Sequence, residues 1–174
     1  MWTLIDSPVG ALRLVASRDA LTAIDFAGPR DATAKDGASV ARARSRSLGR
    51  PMGKRDDDHP VLVDAARQLA AYFARELKEF DLPLDPSGTD FQLQVWEQLR
   101  TIEYGETASY GEIAARLGMT GHGARAVGLA NGRNPIPIVV PCHRVVGADG
   151  SMTGYGGGIE RKQYLLELEQ DALF

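Results

Sequence analysis

Apolar and polar positions alternate over residues 2–26, and large apolar side chains are then almost absent from residues 28–60. Alternation with a period of two predicts short, half-buried strands, with turns at residues 7–10 and 17–19. A segment with few large apolar side chains cannot bury enough surface to offset the entropy lost on ordering. We therefore expect a small sheet followed by a mobile loop at about 28–60, whose basic residues fit either a solvated linker or a DNA contact.

Helical spacing replaces the alternation after residue 60. Apolar positions over residues 62–77 predict one helix, and those over residues 91–102 predict another, with Trp96 on its buried face. The order of strands first and helices later predicts the α/β (α+β) fold class, with an N-terminal domain at 1–85 and a second domain at 86–174. Two capping boxes mark the starts of helices. They are Thr89 with Gln92 and Ser109 with Glu112.

Two short helices joined by a glycine-containing turn follow the second capping box. The first is expected to stop at Gly118, and the second runs roughly over residues 124–130. This arrangement is typical of a helix-turn-helix, although many helical hairpins bind nothing. Close helix packing explains the small residues of the second helix, and so does close approach to a narrow groove of DNA. Those small residues are Gly123, Ala124, Ala126, Gly128 and Ala130.

The only cysteine of the chain, Cys142, ends a proline-rich apolar run and precedes His143 and Arg144. Free cysteine is often a buried filler, so Cys142 is either part of the core or a reactive centre. The prolines stiffen the approach and favour extended backbone, which is expected to place Cys142 at the end of a buried strand. Either His143 or Arg144 favours a thiolate over a thiol at Cys142. Polar residues directly after an apolar run favour the reactive centre.

Composition and charge exclude several classes of protein. The chain has no apolar run long enough to span a membrane and no signal peptide, so we expect a cytoplasmic protein. One cysteine and three dispersed histidines predict neither a metal site nor another cofactor. A net charge of −3 is unusual for a nucleic-acid binder, but residues 113–148 hold four arginines and no acidic residue. A basic surface is therefore expected to be local.

The chain from about residue 89 to residue 169 resembles the O6-alkylguanine-DNA alkyltransferases, also called methylated-DNA–protein-cysteine methyltransferases. The resemblance implies an RNase H-like N-terminal domain and a mostly helical, winged helix-turn-helix-like alkyltransferase domain. It implies DNA repair by irreversible transfer of an alkyl group from guanine O6, and from thymine O4, to Cys142. The implied partner is double-stranded DNA containing O6-alkylguanine, bound by a monomer. The matching segments are residues 104–106, 109–114, 125–128, 131–135, 141–145 and 154–158.

The resemblance also implies a catalytic relay. His143 would act as the base through a water molecule, Glu169 would hold the imidazole, and Tyr110 would donate a proton to guanine N3. The residues themselves support the second role, because Leu165 and Leu166 place Glu169 on the inward stripe of the final helix. A carboxylate in that position needs a partner, and the alternative is a surface glutamate near a frayed terminus.

The remaining implied roles concern the base pocket and the DNA. Asn134 would brace the turn before Cys142, and the carbonyls of Cys142 and Val145 would accept from the exocyclic amine of guanine. Arg125 would enter the base stack in place of a flipped nucleotide. A backbone amide of the glycine loop would donate to O6, with a tyrosine as pocket wall. The residues expected to contact DNA or the base are Arg125, Ala124, Gly123, Val145, Tyr155 and Gly156.

Two other functions remain open at this point. A non-catalytic module that binds alkylated bases would share the helix-turn-helix, but the presence of Cys142 disfavours it. A thiol hydrolase would use the same cysteine, histidine and glutamate and would admit water to the intermediate.

Overall fold

The computed structural model describes residues 1–27, 53–152 and 155–171, and it divides into two compact units, Met1–Pro86 and Ser87–Phe174. Most of the loop expected at 28–60 therefore lies outside the described residues. Within the described ranges, no helix has both the length and the apolar character needed to cross a membrane.

The first unit is a three-stranded antiparallel sheet covered by one helix. The strands β1 (Trp2–Ile5), β2 (Leu12–Ala16) and β3 (Leu21–Phe26) lie in that order. Helix α1 (Pro60–Phe73) packs on β2. The core between them contains Leu12, Leu14, Leu21, Leu62, Ala65, Leu69 and Tyr72.

Helix α1 is shorter than the apolar spacing predicts. It ends at Phe73, because Arg75 adopts a left-handed backbone with φ of 62° and the N–H of Leu77 turns back to the carbonyl of Ala71. The described end of the expected loop is also ordered along β1. The N–H of Trp2 donates to the carbonyl of Lys54 at 3.2 Å, and the N–H of Asp56 donates to the carbonyl of Trp2 at 2.9 Å, so residues 54–56 pair with the start of β1.

The second unit is mostly helical, and its two short strands pair in parallel. Both predicted capping boxes are present with reciprocal side-chain and backbone hydrogen bonds, which confirms the predicted helix starts. The elements are α2 (Asp90–Leu99), β4 (Ala108–Ser109), α3 (Tyr110–Arg116), α4 (Gly123–Gly132), a 3-10 turn (Cys142–Arg144), β5 (Val145–Val146) and α5 (Ile159–Asp171).

Helices α3 and α4 form the expected helical pair. Gly118, just past the end of α3, has φ of 72°, a conformation that glycine adopts without strain. Gly123 packs inside the pair, since a Cβ there would lie 2.8 Å from the Cβ of Met119. Trp96 is buried as predicted, and its Nε1 donates to the carbonyl of Ala130 at 2.9 Å. This hydrogen bond joins α2 to α4.

Candidate active site

The segment before Cys142 turns repeatedly, so the expectation of a strand there is wrong. The Oδ1 of Asn134 accepts from the N–H of Ile136 at 3.0 Å, and its Nδ2 donates to the carbonyl of Val140 at 2.8 Å. Ile138 has φ of 74°, which is rare for a β-branched residue. The prolines of this segment lack the N–H groups that a strand ladder needs. The side chain of Asn134 forms hydrogen bonds with the backbone in place of a neighbouring strand.

Cys142 is buried at the start of the 3-10 turn. Burial raises the pKa of its thiol to about 11, although a hydrogen bond from Asn134 and the charge of Lys162 act in the opposite direction. The resting residue at neutral pH is therefore a thiol. The basic neighbours in the sequence do not overcome the loss of solvation, so a base must assist when the thiolate forms.

His143 and Glu169 form a fully buried pair, with Nε2 and Oε1 2.6 Å apart. Burial raises the pKa of Glu169, but the hydrogen bonds and charges of His143 and Arg144 outweigh it and lower the pKa to about 2. The carboxylate is ionised and can only accept, so Nε2 carries the ring proton. Burial lowers the pKa of His143, which leaves the ring neutral and Nδ1 as its basic nitrogen. Among the described residues, Nδ1 has no hydrogen-bond partner.

Arg144 completes this cluster, and the sequence had indicated it as a basic neighbour that favours a thiolate at Cys142, not as a partner of Glu169. Its Nε donates to Oε2 of Glu169 at 3.0 Å and its Nη2 to Oε1 at 2.9 Å. Its Nη1 donates to the carbonyl of Ile102 at 2.6 Å, and the guanidinium lies 5.7 Å from the Tyr104 ring centroid. A buried glutamate needs a cationic partner. The predicted burial of Glu169 was therefore the sequence signal that could have indicated a partner such as Arg144.

The other expected pocket residues lie in the same unit. Tyr110 is the first residue of α3, and a Cβ on Gly128 of α4 would lie 3.7 Å from its ring. Tyr155 is buried, and burial raises the pKa of its phenol well above 10. Gly156 is exposed in the turn that precedes α5. The structure therefore places α3, α4 and the glycine loop in the unit that holds Cys142.

Two further buried side chains contact the segment 142–145, and the sequence analysis did not identify them. Lys162 of α5 is fully buried, and its Nζ donates to the carbonyl of Val145 at 2.5 Å. Asn131 of α4 is also buried, and its Nδ2 donates to the carbonyl of Cys142 at 3.3 Å. Hydrophobic periodicity gives no signal for such residues, because it counts lysine and asparagine as solvent-facing positions.

Helix α4 turns Arg125 and Leu129 outward, one helical turn apart, and Leu129 is 65% exposed. Ala124 is half-buried beside them. The burial of Gly123 favours the close-packing explanation that the sequence left open for the small residues. The exposed face is therefore not free of bulky side chains, because it carries a leucine next to the arginine.

Comparisons with known proteins cover both units. The 6-O-methylguanine DNA methyltransferase, DNA binding domain family matches residues 90–171, and the ribonuclease-like domain of the same methyltransferase matches residues 1–86. The methylated-DNA–protein-cysteine methyltransferase of Mycobacterium tuberculosis (strain H37Rv) is 52% identical over 166 residues, 95% of this chain and 90% of that protein. The one from Methanosarcina barkeri is 41% identical over 172 residues, 99% of this chain and 98% of its own length.

Solved structures agree with the sequence comparisons. Mycobacterium tuberculosis OGT in complex with DNA has a TM-score of 0.78 at 50% identity, covering 98% of this chain and 93% of that one. The O6-methylguanine-DNA methyltransferase of Pyrococcus kodakaraensis KOD1 has a TM-score of 0.62 at 32% identity, covering 97% and 99%. The predicted mixed α/β fold with a helical C-terminal unit is confirmed. Because one family accounts for both units and its members align along nearly the whole chain, the protein belongs to the 6-O-methylguanine DNA methyltransferase family.

Proposed function

We propose that this protein repairs DNA by transferring an alkyl group irreversibly from guanine O6, or from thymine O4, to Sγ of its own Cys142. The proposal rests on one observation above all. A buried cysteine is followed directly by a histidine whose Nε2 lies 2.6 Å from a buried, ionised glutamate, in a chain of this family. Such an arrangement activates a nucleophile by proton removal.

The first step forms the thiolate. Because Nδ1 of His143 has no hydrogen-bond partner among the described atoms, Sγ of Cys142 included, a bridging water molecule transfers the proton. The water takes the thiol proton as it gives one of its own to Nδ1. The imidazolium that results is stabilised by the carboxylate of Glu169. Arg144 holds that carboxylate in place through two hydrogen bonds.

The second step transfers the alkyl group. The thiolate attacks the alkyl carbon, so that an S–C bond forms while the C–O6 bond breaks and its electron pair stays on the base. Tyr110 donates its phenolic proton to N3 of the leaving purine. The proton that His143 took from the thiol is then released to solvent, and the Tyr110 phenolate takes up one proton from solvent. The net change moves one proton from the thiol to guanine. A thioether is chemically stable, so each protein molecule reacts once.

Helix α4 is the element that we assign to the DNA. Its outward Arg125 is the side chain that would replace a flipped nucleotide, and flipping is needed because O6 is not reachable inside the stack. The local excess of arginine over residues 113–148 supports attraction to phosphate. The relative from Mycobacterium tuberculosis whose structure contains DNA supports the same partner. The expected complex is a protein monomer on duplex DNA containing O6-alkylguanine.

Duplex DNA carrying O6-methylguanine with a labelled methyl group tests this proposal. We expect one label per protein molecule, located on Cys142 by mass spectrometry, and unmodified guanine in the DNA. Cys142→Ser should abolish transfer while binding of the methylated duplex stays within about tenfold, since the thiol makes no groove contact. Release of the label as methanol would instead identify a hydrolase. Tight binding without transfer or release would identify a binding module.

A further inference from the structure

Three consecutive glycines, Gly156 to Gly158, form the turn between Tyr155 and helix α5. The N–H of Gly158 donates to the carbonyl of Tyr155 at 3.1 Å, and Gly158 has φ of 94°, which glycine adopts without strain. Glycine loses more conformational freedom on ordering than any other residue, so a run of three is costly to hold in one conformation. The turn therefore needs contacts beyond those of its own backbone.

The side chain of Arg161 supplies such a contact. Its Nη1 donates to the carbonyl of Gly157 at 2.9 Å, from a half-buried position in the first turn of α5. The carbonyl of Gly157 and the N–H of Gly158 belong to one peptide group, so both ends of that group are hydrogen-bonded. The next carbonyl, that of Gly158, accepts from the N–H of Lys162 at 3.2 Å at the start of the helix. Loss of the guanidinium would leave the peptide group between Gly157 and Gly158 bonded only through its N–H.

The same guanidinium is close to the expected wall of the base pocket. Burial raises the pKa of the Tyr155 phenol, the charge of a Cys142 thiolate raises it further, and the charge of Arg161 lowers it. The phenol is therefore within electrostatic range of both Cys142 and Arg161. Tyr155 and Gly156 are also the residues of this turn that we expect to contact the base. The order of the turn is thus linked to the shape of the pocket beside Cys142.

We propose that Arg161 is a positioning residue, whose hydrogen bond to the carbonyl of Gly157 holds the turn at residues 155–158 in the conformation that receives the alkylated base. A turn that is ordered in advance binds without losing further backbone entropy. If only a fraction of the molecules has the ordered turn, the apparent affinity for the base falls by that fraction. The inference rests on the proposed alkyl transfer and adds a residue that acts on substrate binding, outside the proton relay.

Single-turnover transfer from free O6-benzylguanine tests this role, because the free base enters the pocket and carries no phosphate. Rates measured over a range of base concentrations give a half-saturating concentration and a maximal rate. Arg161→Met removes the donor and keeps a long side chain, so the half-saturating concentration should rise roughly tenfold, the worth of a hydrogen bond from a charged donor. The maximal rate should stay within about twofold, since the bound base orders the turn again. Glu160→Gln, at the exposed neighbouring position, is the control and should match the wild type in both quantities.

Amide hydrogen exchange, measured by NMR on the protein without substrate, separates the turn from the rest of the fold. In Arg161→Met the N–H of Gly158 should exchange roughly tenfold faster than in the wild type. The N–H of Val140, which donates to the carbonyl of Ile136 in the same unit, should keep its exchange rate. Arg161→Ala is a second variant without the donor if the methionine variant melts early.

Two kinetic results would overturn the role of Arg161 and leave alkyl transfer standing. One is an unchanged half-saturating concentration in a folded variant, with or without a loss of affinity for duplex DNA that would identify a phosphate contact. The other is a fall in the maximal rate alone, which would place Arg161 in the chemical step. Free O6-methylguanine replaces the probe if the benzyl group is not accepted. Failure of the wild type to react with O6-methylguanine in DNA would overturn the proposed function itself.

Discussion

The cluster next to Cys142 is buried, whereas the charged outward face of α4 is exposed to solvent. His143, Arg144 and Glu169 are all buried, and hydrogen bonds of 2.6–3.0 Å join them. On α4, Arg125 and Leu129 face solvent. Charges in a buried cluster interact strongly and share partners, whereas exposed charges are screened by water and salt. Loss of one partner in the buried cluster should therefore disturb every other group in it.

This difference predicts two kinds of response to substitution. A change within the buried cluster should alter reactivity with every substrate, and its effects should not add to those of its neighbours. A change on α4 should weaken the contact with DNA and leave the reaction with a free base intact.

Glu169→Gln is expected to have the largest effect. The amide keeps the size of the carboxylate but loses the charge that stabilises the imidazolium of His143, so transfer at neutral pH should slow roughly 10- to 100-fold. Part of the rate should return as the pH rises towards about 11, the pKa of the Cys142 thiol, because solvent hydroxide then removes the proton. Stopped-flow transfer rates from pH 7 upwards measure both effects.

Glu167→Gln is the matched control, since Glu167 lies on the same helix and faces solvent. It should react like the wild type at every pH. Equal rates for the wild type and Glu169→Gln at neutral pH would remove Glu169 from the relay. Both variants should be tested below their melting temperatures, because Glu169→Gln leaves the Arg144 guanidinium buried without its carboxylate.

The stability of the fold should depend on the same carboxylate in acid. The folded protein lowers the pKa of Glu169 to about 2 from an ordinary value of 4.5, so the stabilisation is fully present above pH 4.5 and is lost as the pH falls towards 2. At pH 7 the wild type should exceed Glu169→Gln by about 3 kcal/mol in free energy of unfolding. Urea titrations should show this difference shrinking below pH 4.5, and a constant difference would contradict the assignment.

Arg125→Ala should affect only the reaction on DNA. We expect affinity for the methylated duplex to fall about tenfold, and the rate with free O6-benzylguanine to stay within about twofold, because the free base needs no flipping. Arg67→Ala is the control, since Arg67 is an exposed arginine of the first unit. Fluorescence anisotropy and single-turnover rates separate binding from chemistry. Equal losses on both substrates would place Arg125 among the groups that act on the base itself.

Features with a local chemical cause were predictable from the sequence. The two capping boxes and the end of α3 depend on residues within four positions of each other, and the structure has all three. The inward position of Glu169 was also predictable, because Leu165 and Leu166 define the buried stripe of the same helix. Such features can be predicted because they do not depend on any distant segment of the chain.

The turns before Cys142 were not predictable in this way. An apolar run is typical of a buried strand, and the prolines alone do not indicate where the chain reverses. The reversal depends on both hydrogen bonds of the Asn134 side chain and on the left-handed backbone of Ile138. Both features arise because the segment folds back on itself. The pattern of apolar and polar residues does not indicate where such a reversal occurs.

Partners supplied by distant elements were the second omission. Arg144 binds Glu169 across 25 positions of sequence, and Lys162 binds Val145 across 17. A charged side chain in sequence is read as solvent-facing, because unpaired burial is costly. Only tertiary structure shows that these charges are paired or hydrogen-bonded inside the unit. The partnership of Arg144 with Glu169 was therefore not predicted, although that of His143 with Glu169 was expected.

Leu129→Ala should have the smallest effect and tests the exposed face most directly. Leu129 is 65% exposed, so its truncation should change the free energy of unfolding by less than about 0.5 kcal/mol. If the leucine packs against deoxyribose in the minor groove beside Arg125, affinity for duplex DNA should fall about threefold. The slope of affinity against salt should not change, since no charge is lost. Val63→Ala, at a 50% exposed position of the first unit, is the control, and an affinity for DNA unchanged in both variants would confine the α4 contact to its arginine.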